Sequence, residues 1–253
     1  MIRSLFLTLI LLAGFAPTSF AQREVVNQPA QWFAFVSHTR VSKTFSILAE
    51  GQFRFVNNLE PMQFQARTGL DVSVNKHFSF MPMGYVYVWN PIYGNQPASY
   101  SNNEHRIFQQ VQYIHQFGRF HFSHRVRLEQ RFIQVHDNVD GEIINRGYDL
   151  YLNRIRYRLQ MIIPLTHKEM VPRTFYLSFY NELFADFGPN VVSSDPDQNR
   201  FFAGAGYKIS NKVNFQVGYL HQTLVKLSWT KQEDNIGLQA LFVYNIDLTK
   251  KEN

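Results

Sequence analysis

Apolar and polar residues alternate with a period of two along most of this chain, and downstream of residue 21 no apolar stripe has helical spacing. The clearest segment is 120–132, FHFSHRVRLEQRF, with Phe, Val and Leu mainly on one face and His, Ser, Arg and Glu on the other. Successive side chains of a strand point to opposite faces, so this segment separates an apolar from a polar environment. The pattern predicts about eleven strands, at 31–40, 43–56, 62–74, 78–90, 104–117, 119–132, 148–163, 174–185, 199–209, 213–222 and 234–246.

The connections between these strands alternate in length. Short turns are predicted at 41–42, 75–77, 118 and 210–212, and longer connections at 91–103, 133–147, 186–198 and 223–233, with 164–173 intermediate on the short side. Short periplasmic turns and longer extracellular loops are typical of outer-membrane barrels. The sequence therefore predicts an all-β fold, a transmembrane antiparallel β-barrel.

Strand number and loop placement leave alternatives open. Bacterial single-chain barrels usually have an even number of strands, so we expect about twelve, with ten next. A further strand would come from residues 133–147 or 22–30. We expect the 91–103 connection to be exposed outside the barrel, with an inward fold as the alternative.

The first 21 residues have the three parts of a secretory signal. Arg3 supplies the positive start, residues 5–16 the apolar run, and Ser19-Phe20-Ala21 the small-x-small cleavage site. We predict a cleaved signal peptide over 1–21 and a single barrel domain over 22–253. No later apolar run approaches the length of a membrane-spanning helix, which leaves a closed barrel as the spanning structure. The chain has no Cys, which excludes disulfides and thiolate metal sites.

The distribution of charge is more informative than its sum. The formal net charge is +6, and the basic residues are interleaved with acids and aromatics, so we expect no nucleic-acid partner. Arginines concentrate inside the alternating segments, whereas lysines lie largely in turns, loops and the tail. The planar, weakly hydrated guanidinium group suits enclosed positions. The polar face is therefore predicted to line a lumen.

A soluble barrel or sandwich is the main competing interpretation, because alternation does not say which face is wet. Aromatic residues make up 16% of the chain, and Tyr and Trp near strand ends are typical of membrane-interface girdles. Residues 235–242, NIGLQALF, approximate the terminal signal of such barrels. We therefore expect an outer-membrane location, contact with outer-membrane lipid, and recognition of this strand by the barrel assembly machinery.

Several segments carry a family resemblance in chain order. They are NEHRIFQQ at 103–110, HRVRLEQRF at 124–132, NRIRYRL at 153–159, YNELF at 180–184, QNRF at 198–201 and GYK at 206–208. The chain resembles the uncharacterised outer-membrane barrel family designated domain of unknown function twenty-four-ninety, with Asn181 departing slightly from an expected acidic position. The resemblance implies a Gram-negative outer-membrane barrel, and it implies no activity, substrate, cofactor or catalytic residue.

Two neighbouring rows of arginines form the main candidate site. Rows of like charge repel unless acids intervene, and Glu129 and Glu182 are placed to do so, with Glu182 expected opposite Arg156 or Arg158. The network is interpreted either as a structural filling or as an anion-selective constriction or acidic-ligand site. The predicted lumen charge network comprises Arg125, Arg127, Glu129, Arg131, Arg154, Arg156, Arg158, Glu182 and Arg200.

Other candidate chemistry is weaker. Gly204, Gly206 and Gly218 share the polar face, where they permit bending or leave a dent for a ligand or plug residue. The nine His show no metal-binding spacing, so we expect no metal and no cofactor. Ser123 and His121 are expected to face the lumen, and His221 lacks a nearby Ser, so we expect no enzyme.

The sequence thus favours a passive or gated pore for small polar solutes with a mild anion preference. The first alternative is a non-conducting structural or surface-binding barrel with a filled lumen. The second is a lipid-modifying enzyme of the outer membrane. The solute itself is not indicated by the sequence.

Overall fold

The computed structural model describes residues 23–249, and the predicted signal peptide over 1–21 lies outside them. Within the described range no helix is long and apolar enough to cross a membrane. The described residues form eleven strands: β1 (Glu24–Arg40), β2 (Phe45–Val56), β3 (Glu60–Ser73), β4 (Phe78–Asn90), β5 (Asn102–Phe117), β6 (Phe120–Val139), β7 (Glu142–Pro164), β8 (Thr174–Phe187), β9 (Pro196–Lys208), β10 (Val213–Val225) and β11 (Lys231–Asp247).

These strands close into one barrel, which confirms the predicted all-β barrel fold. Consecutive strands are antiparallel, and the seam is a parallel pair of β1 and β11, with Ala30 opposite Gly237. An odd number of strands joined alternately at two ends leaves the first and last running in the same direction, so their pairing must be parallel. The expectation of twelve strands is corrected to eleven on the described residues.

The two segments expected to hide a strand instead lengthen existing strands. Residues 24–30 are the first part of β1, and the 133–147 segment is a protruding extension of the β6–β7 hairpin, which turns at residues 140–141. Asp140 and Gly141 have positive φ angles of 52° and 91°, which this tight turn requires. No additional wall strand is needed because the seam already satisfies both strand edges.

The two ends of the barrel differ in their connections. The short-turn end carries connections 41–44, 74–77, 118–119, 165–173 and 209–212. The long-loop end carries 57–59, 91–101, the β6–β7 hairpin tip, 188–195 and 226–230. The 57–59 turn, with positive φ at Asn57 and Leu59, and the 140–141 turn are short exceptions there, and 165–173 is the long exception at the opposite end. Connection lengths therefore alternate only in part as the sequence predicts.

The outward and inward faces have opposite character. Outward positions are mainly apolar and exposed, such as Phe35, Val111 and Leu238. Inward positions carry Arg, Glu and Gln, and Glu129 has no exposed surface. Small apolar clusters also fill the lumen, one around Trp32 and Met62 and one around Met81, Val86 and Phe108. The barrel thus has an apolar exterior and a packed polar interior.

Candidate functional site

The predicted arginine rows face each other across the β6–β7 pair inside the lumen. Arg125 lies opposite Arg158, Arg127 opposite Arg156, and Glu129 opposite Arg154. Like charges directly opposite each other destabilise a sheet unless other groups neutralise them. Carboxylates from the same and neighbouring strands are therefore required here, and the structure supplies them.

Glu182 and Glu129 are the central carboxylates, and Arg156 joins them. Arg156 NH1 donates to Glu129 Oε1 at 2.6 Å, while its Nε and NH2 donate to Glu182 Oε1 at 3.1 and 2.8 Å. Glu182 also accepts from Arg125 at 2.5 Å and from Arg200 at 3.3 Å. One carboxylate therefore holds three guanidinium groups. In strand register, Glu182 lies opposite Arg158.

A second group of ion pairs lies nearer the long-loop end. Glu104 accepts bidentate hydrogen bonds from Arg131, at 2.6 and 3.2 Å, and from Arg106, at 2.7 and 2.8 Å. Asp186 accepts from Arg131 at 2.9 Å and from Arg154 at 2.6 and 3.0 Å. Bidentate, charge-assisted pairs of this kind are the strongest hydrogen bonds a protein makes.

Several members of this network were not assigned from the sequence. Arg154 also donates to Asp197 at 2.6 Å, and Arg67 donates to Glu50 at 2.5 Å. The period of two along each strand could have identified two of the acids. Glu104 lies two residues before Arg106, and Asp186 lies four residues after Glu182, so each shares the inward face of its strand. The additional charged members are Glu50, Arg54, Arg67, Glu104, Arg106, Asp186 and Asp197.

Aromatic rings support guanidinium groups that have no carboxylate partner or only a distant one. Arg54 lies 4.2 Å and Arg200 4.8 Å from the Trp32 ring centroid. Arg127 lies 4.2 Å from the ring of Phe108. A cation over an aromatic face is attracted by the ring quadrupole, most strongly where water is excluded. These rings therefore hold buried cations without neutralising them.

Cations outnumber carboxylates in the lumen. The lumen network consists of ten arginines, at 54, 67, 106, 125, 127, 131, 154, 156, 158 and 200, and six carboxylates, at 50, 104, 129, 182, 186 and 197. Among the described residues, Arg54 and Arg158 have no carboxylate at ion-pair distance. The network thus has four more positive than negative groups, or three more when Asp71 in the lower cavity is counted, and this excess favours an anion in the lumen.

The network separates two cavities. The upper cavity, of about 310 Å³, lies toward the long-loop end beneath Pro91, Tyr93 and Leu227. The lower cavity, of about 250 Å³, lies toward the short-turn end between His38 and Tyr180. Arg156 and Arg200 line both cavities. The partition is therefore thin at these two side chains.

The 91–101 loop lies partly in the barrel mouth, where Tyr93, Gly94 and Gln96 contact the wall, whereas Ile92 and residues 97–99 are exposed. The expectation that the connection is exposed outside therefore holds only in part. Tyr93 donates to Glu233 at 2.9 Å, and Lys226 contacts the same carboxylate at 2.5 Å. Burial first, and then the charge of Glu233, raise the pKa of Tyr93 well above its usual range, so its phenol remains a donor at neutral pH. We call Tyr93, Lys226 and Glu233 the loop latch.

Gly94 fixes the path of the loop next to the latch. Its φ is +71°, and a Cβ there would lie 2.5 Å from Gln28 Oε1. The Gly94 amide donates to Glu60 at 3.1 Å, and Gln96 donates to the Glu24 carbonyl at 3.0 Å. The loop is therefore held to β1, β3 and β11 by specific contacts.

Tyr93→Phe is expected to release the 91–101 loop. The substitution leaves a buried oxygen of Glu233 without its phenol donor, and such a loss costs about 1–3 kcal/mol. Limited proteolysis should cut the variant within 91–101 severalfold faster than the parent protein. Tyr100→Phe is the matched control, because Tyr100 lies in the same loop and packs against His136 with its ring tilted. Equal cleavage of both variants and the parent would contradict the latch.

The glycines accommodate both close strand contact and packed rings. Gly204 and Gly218 are opposite each other in register, and a Cβ on Gly218 would lie 2.3 Å from the Gly204 Cα. A Cβ on Gly206 would overlap the Tyr176 ring, at 2.1 Å. At Gly206 the dent in the wall is therefore filled by Tyr176 of the adjacent strand.

Two of the candidate catalytic side chains, Ser123 and His221, have other neighbours in the structure. Ser123 accepts a hydrogen bond from Gln112 inside the lumen. His221 lies 3.8 Å from Asp234. The nearby Thr223 hydroxyl donates to the same carboxylate at 2.7 Å and is not hydrogen-bonded to the histidine. In the part of the chain that the structure describes, no three His, Asp or Glu side chains are grouped to hold a metal ion.

A closed barrel with a charged, partitioned lumen is thus the class of protein that fold and site define. Residues 30–229 match the family described as protein of unknown function DUF2490, and the chain belongs to this family. This confirms the resemblance carried by the sequence segments. Comparisons with curated proteins and with solved structures give no match.

Proposed function

We propose that this protein is an outer-membrane β-barrel acting as a gated pore for small polar solutes, with a preference for anions, and that it is not an enzyme. The observation that carries the proposal is the excess of arginines over carboxylates in the lumen, which has a cavity on each side of the ion-pair network. Rings of charged side chains set the ion selectivity of pores. In this proposal the short-turn end faces the periplasm, and the conformation described above is closed.

The exterior supports membrane insertion. Tyr87, His105 and Tyr148 form an aromatic cluster near the long-loop end, and Tyr113, His115 and other rings form a second near the short-turn end. Ten residues separate His105 from His115 along β5. With a rise of about 3.4 Å per residue and a tilt of about 40°, the clusters are about 26 Å apart, which matches the apolar band of outer-membrane barrels.

A non-conducting barrel is the second candidate, and it is favoured by the continuity of the ion pairs. Arg156 is held by two buried carboxylates, and the loop latch holds the upper entrance. In that case the network stiffens the barrel, and any function lies in the long-loop end as a binding surface. Conduction separates the two candidates directly.

The decisive measurement is the conductance of the purified, refolded protein in a planar bilayer under a salt gradient. We expect discrete openings with a reversal potential that indicates anion preference, and a higher open probability in the Tyr93→Phe variant. Heat-modifiable gel mobility establishes that the protein is folded. A folded protein that stays silent in both forms would favour the filled barrel, and a cation-leaning reversal potential would refute the anion preference.

A further inference from the structure

The buried guanidinium groups that lack hydrogen-bond partners cluster around one cavity. Among the described residues, five arginines have a fully buried nitrogen with no acceptor at hydrogen-bond distance: Arg67 Nε, Arg125 Nε, Arg127 Nη1, Arg158 Nε and Arg200 Nε. The Arg127 nitrogen lies 3.6 Å from Glu129, within ion-pair range. All five line the lower cavity, and only Arg200 also lines the upper one. Buried donors without acceptors are rare, because each costs free energy that an acceptor recovers.

The arginines of the upper cavity can be compared with those of the lower cavity in the same lumen. Its arginines Arg106, Arg131 and Arg154 are saturated by bidentate or multiple bonds to Glu104, Asp186 and Asp197. In the lower cavity six arginines face three carboxylates, Glu50, Asp71 and Glu182. Both Glu50 and Glu182 are already bonded to arginines. Among the described residues, unpaired guanidinium nitrogens are therefore concentrated at the lower cavity.

We propose that the lower cavity is a binding site for a small multivalent oxyanion, carrying two or more phosphate or carboxylate groups. The guanidinium fork matches both groups bidentately. The volume of about 250 Å³ corresponds to about eight water molecules, which suits a small ligand. His38, Asp71 and Gln112 line both this cavity and the mouth at the short-turn end, so entry is from that side.

Three of the five arginines are deeply buried, which distinguishes the site from a surface basic patch. The whole-residue exposure is 1% for Arg127, 6% for Arg200 and 7% for Arg67. Gln110 already fixes Arg127 through two hydrogen bonds, at 3.0 and 2.6 Å. Arg127 is thus held in place before any ligand arrives, which lowers the entropic cost of binding.

The test is calorimetric titration of the folded full chain in detergent with sodium pyrophosphate and with sodium citrate, at constant ionic strength set by sodium chloride. We expect saturable binding of at least one probe, and the tighter probe identifies phosphate or carboxylate chemistry. Arg158→Gln should weaken binding about tenfold, because it removes one charge-assisted contact. If the Gln variant does not fold, Arg158→Lys replaces it in this test, because lysine keeps the positive charge but lacks the planar guanidinium fork.

Arg54→Gln is the matched control. Arg54 and Arg158 are both lumen arginines without a carboxylate partner among the described residues, but Arg54 lines only the upper cavity. Binding that survives Arg54→Gln and weakens with Arg158→Gln supports the site. Absence of saturable binding, or equal loss in both variants, would overturn it. The proposed site rests on the proposed anion preference of the lumen but not on conduction. If an electrically silent barrel binds the probe, only the pore proposal is refuted. If the barrel conducts without binding either probe, only the proposed binding site is refuted.

Discussion

Glu182→Gln is expected to destabilise the folded barrel by about 3–5 kcal/mol, because it removes a buried carboxylate and leaves its cations behind. Glu182 is 1% exposed and accepts hydrogen bonds from Arg125, Arg156 and Arg200. Gln preserves the shape and one acceptor oxygen but has no charge. The remaining guanidinium groups would repel one another in a site with little water.

Urea unfolding in detergent, followed by heat-modifiable gel mobility, measures this effect. Glu142→Gln is the control, since it makes the same chemical change at an exposed position in the β6–β7 hairpin. Adding Arg158→Gln to Glu182→Gln should restore part of the stability, because it removes one of the crowded cations. An unfolding midpoint for Glu182→Gln equal to that of Glu142→Gln would contradict the central role of this carboxylate.

The fold was largely predictable because alternation is a local property. Each strand carries its own apolar and polar faces, so β6 and β8 are evident without knowledge of their neighbours. Strand number was not predictable in the same way. It depends on which two strand edges pair at the seam. The close pairing of β1 with β11 requires a glycine at 237, because a Cβ there would lie 1.8 Å from the Ala30 carbonyl oxygen. Nothing local distinguishes that glycine from one in a turn.

The candidate site was predictable in its residue types and faces but not in its pairings. Glu182 lies opposite Arg158, one of the two positions expected if the predicted 164–173 turn closed symmetrically. Its hydrogen-bond partners, however, include Arg125 from two strands away, because long side chains reach across the lumen. The inward path of the 91–101 loop depends on Glu233, 140 residues after Tyr93. Such contacts follow from closure of the barrel and have no short-range signal.

If the protein is the gated pore proposed above, the thin partition gives gating a specific physical form. Arg156 can leave Glu129 and Glu182 without orphaning either carboxylate, since Arg127 lies 3.6 Å from Glu129, and Arg125 remains bonded to Glu182. A side chain whose partners are shared in this way has more than one favourable arrangement. Opening would then require a change of ion-pair partners and no movement of the strands.

Arg156→Ala is therefore expected to join the two cavities and raise conductance about tenfold or more over the parent protein. The truncation removes a side chain that lines both cavities and stacks on Phe184 at 4.5 Å. Anion preference should weaken only partly, because nine of the ten lumen arginines remain and charge on the wall sets selectivity. Single-channel recording under a salt gradient gives both the conductance and the reversal potential.

Arg146→Ala provides the control, because Arg146 is half-exposed and pairs with Asp137 on the protruding hairpin, away from the lumen. Arg200→Ala is the second lumen variant, since Arg200 also lines both cavities. Increased conductance in both lumen variants, with Arg146→Ala unchanged, would locate the barrier at the partition. If both lumen variants fold, as judged by gel mobility, yet remain silent, the barrier extends beyond these side chains. The arginine network would then be a structural filling of a barrel that does not conduct.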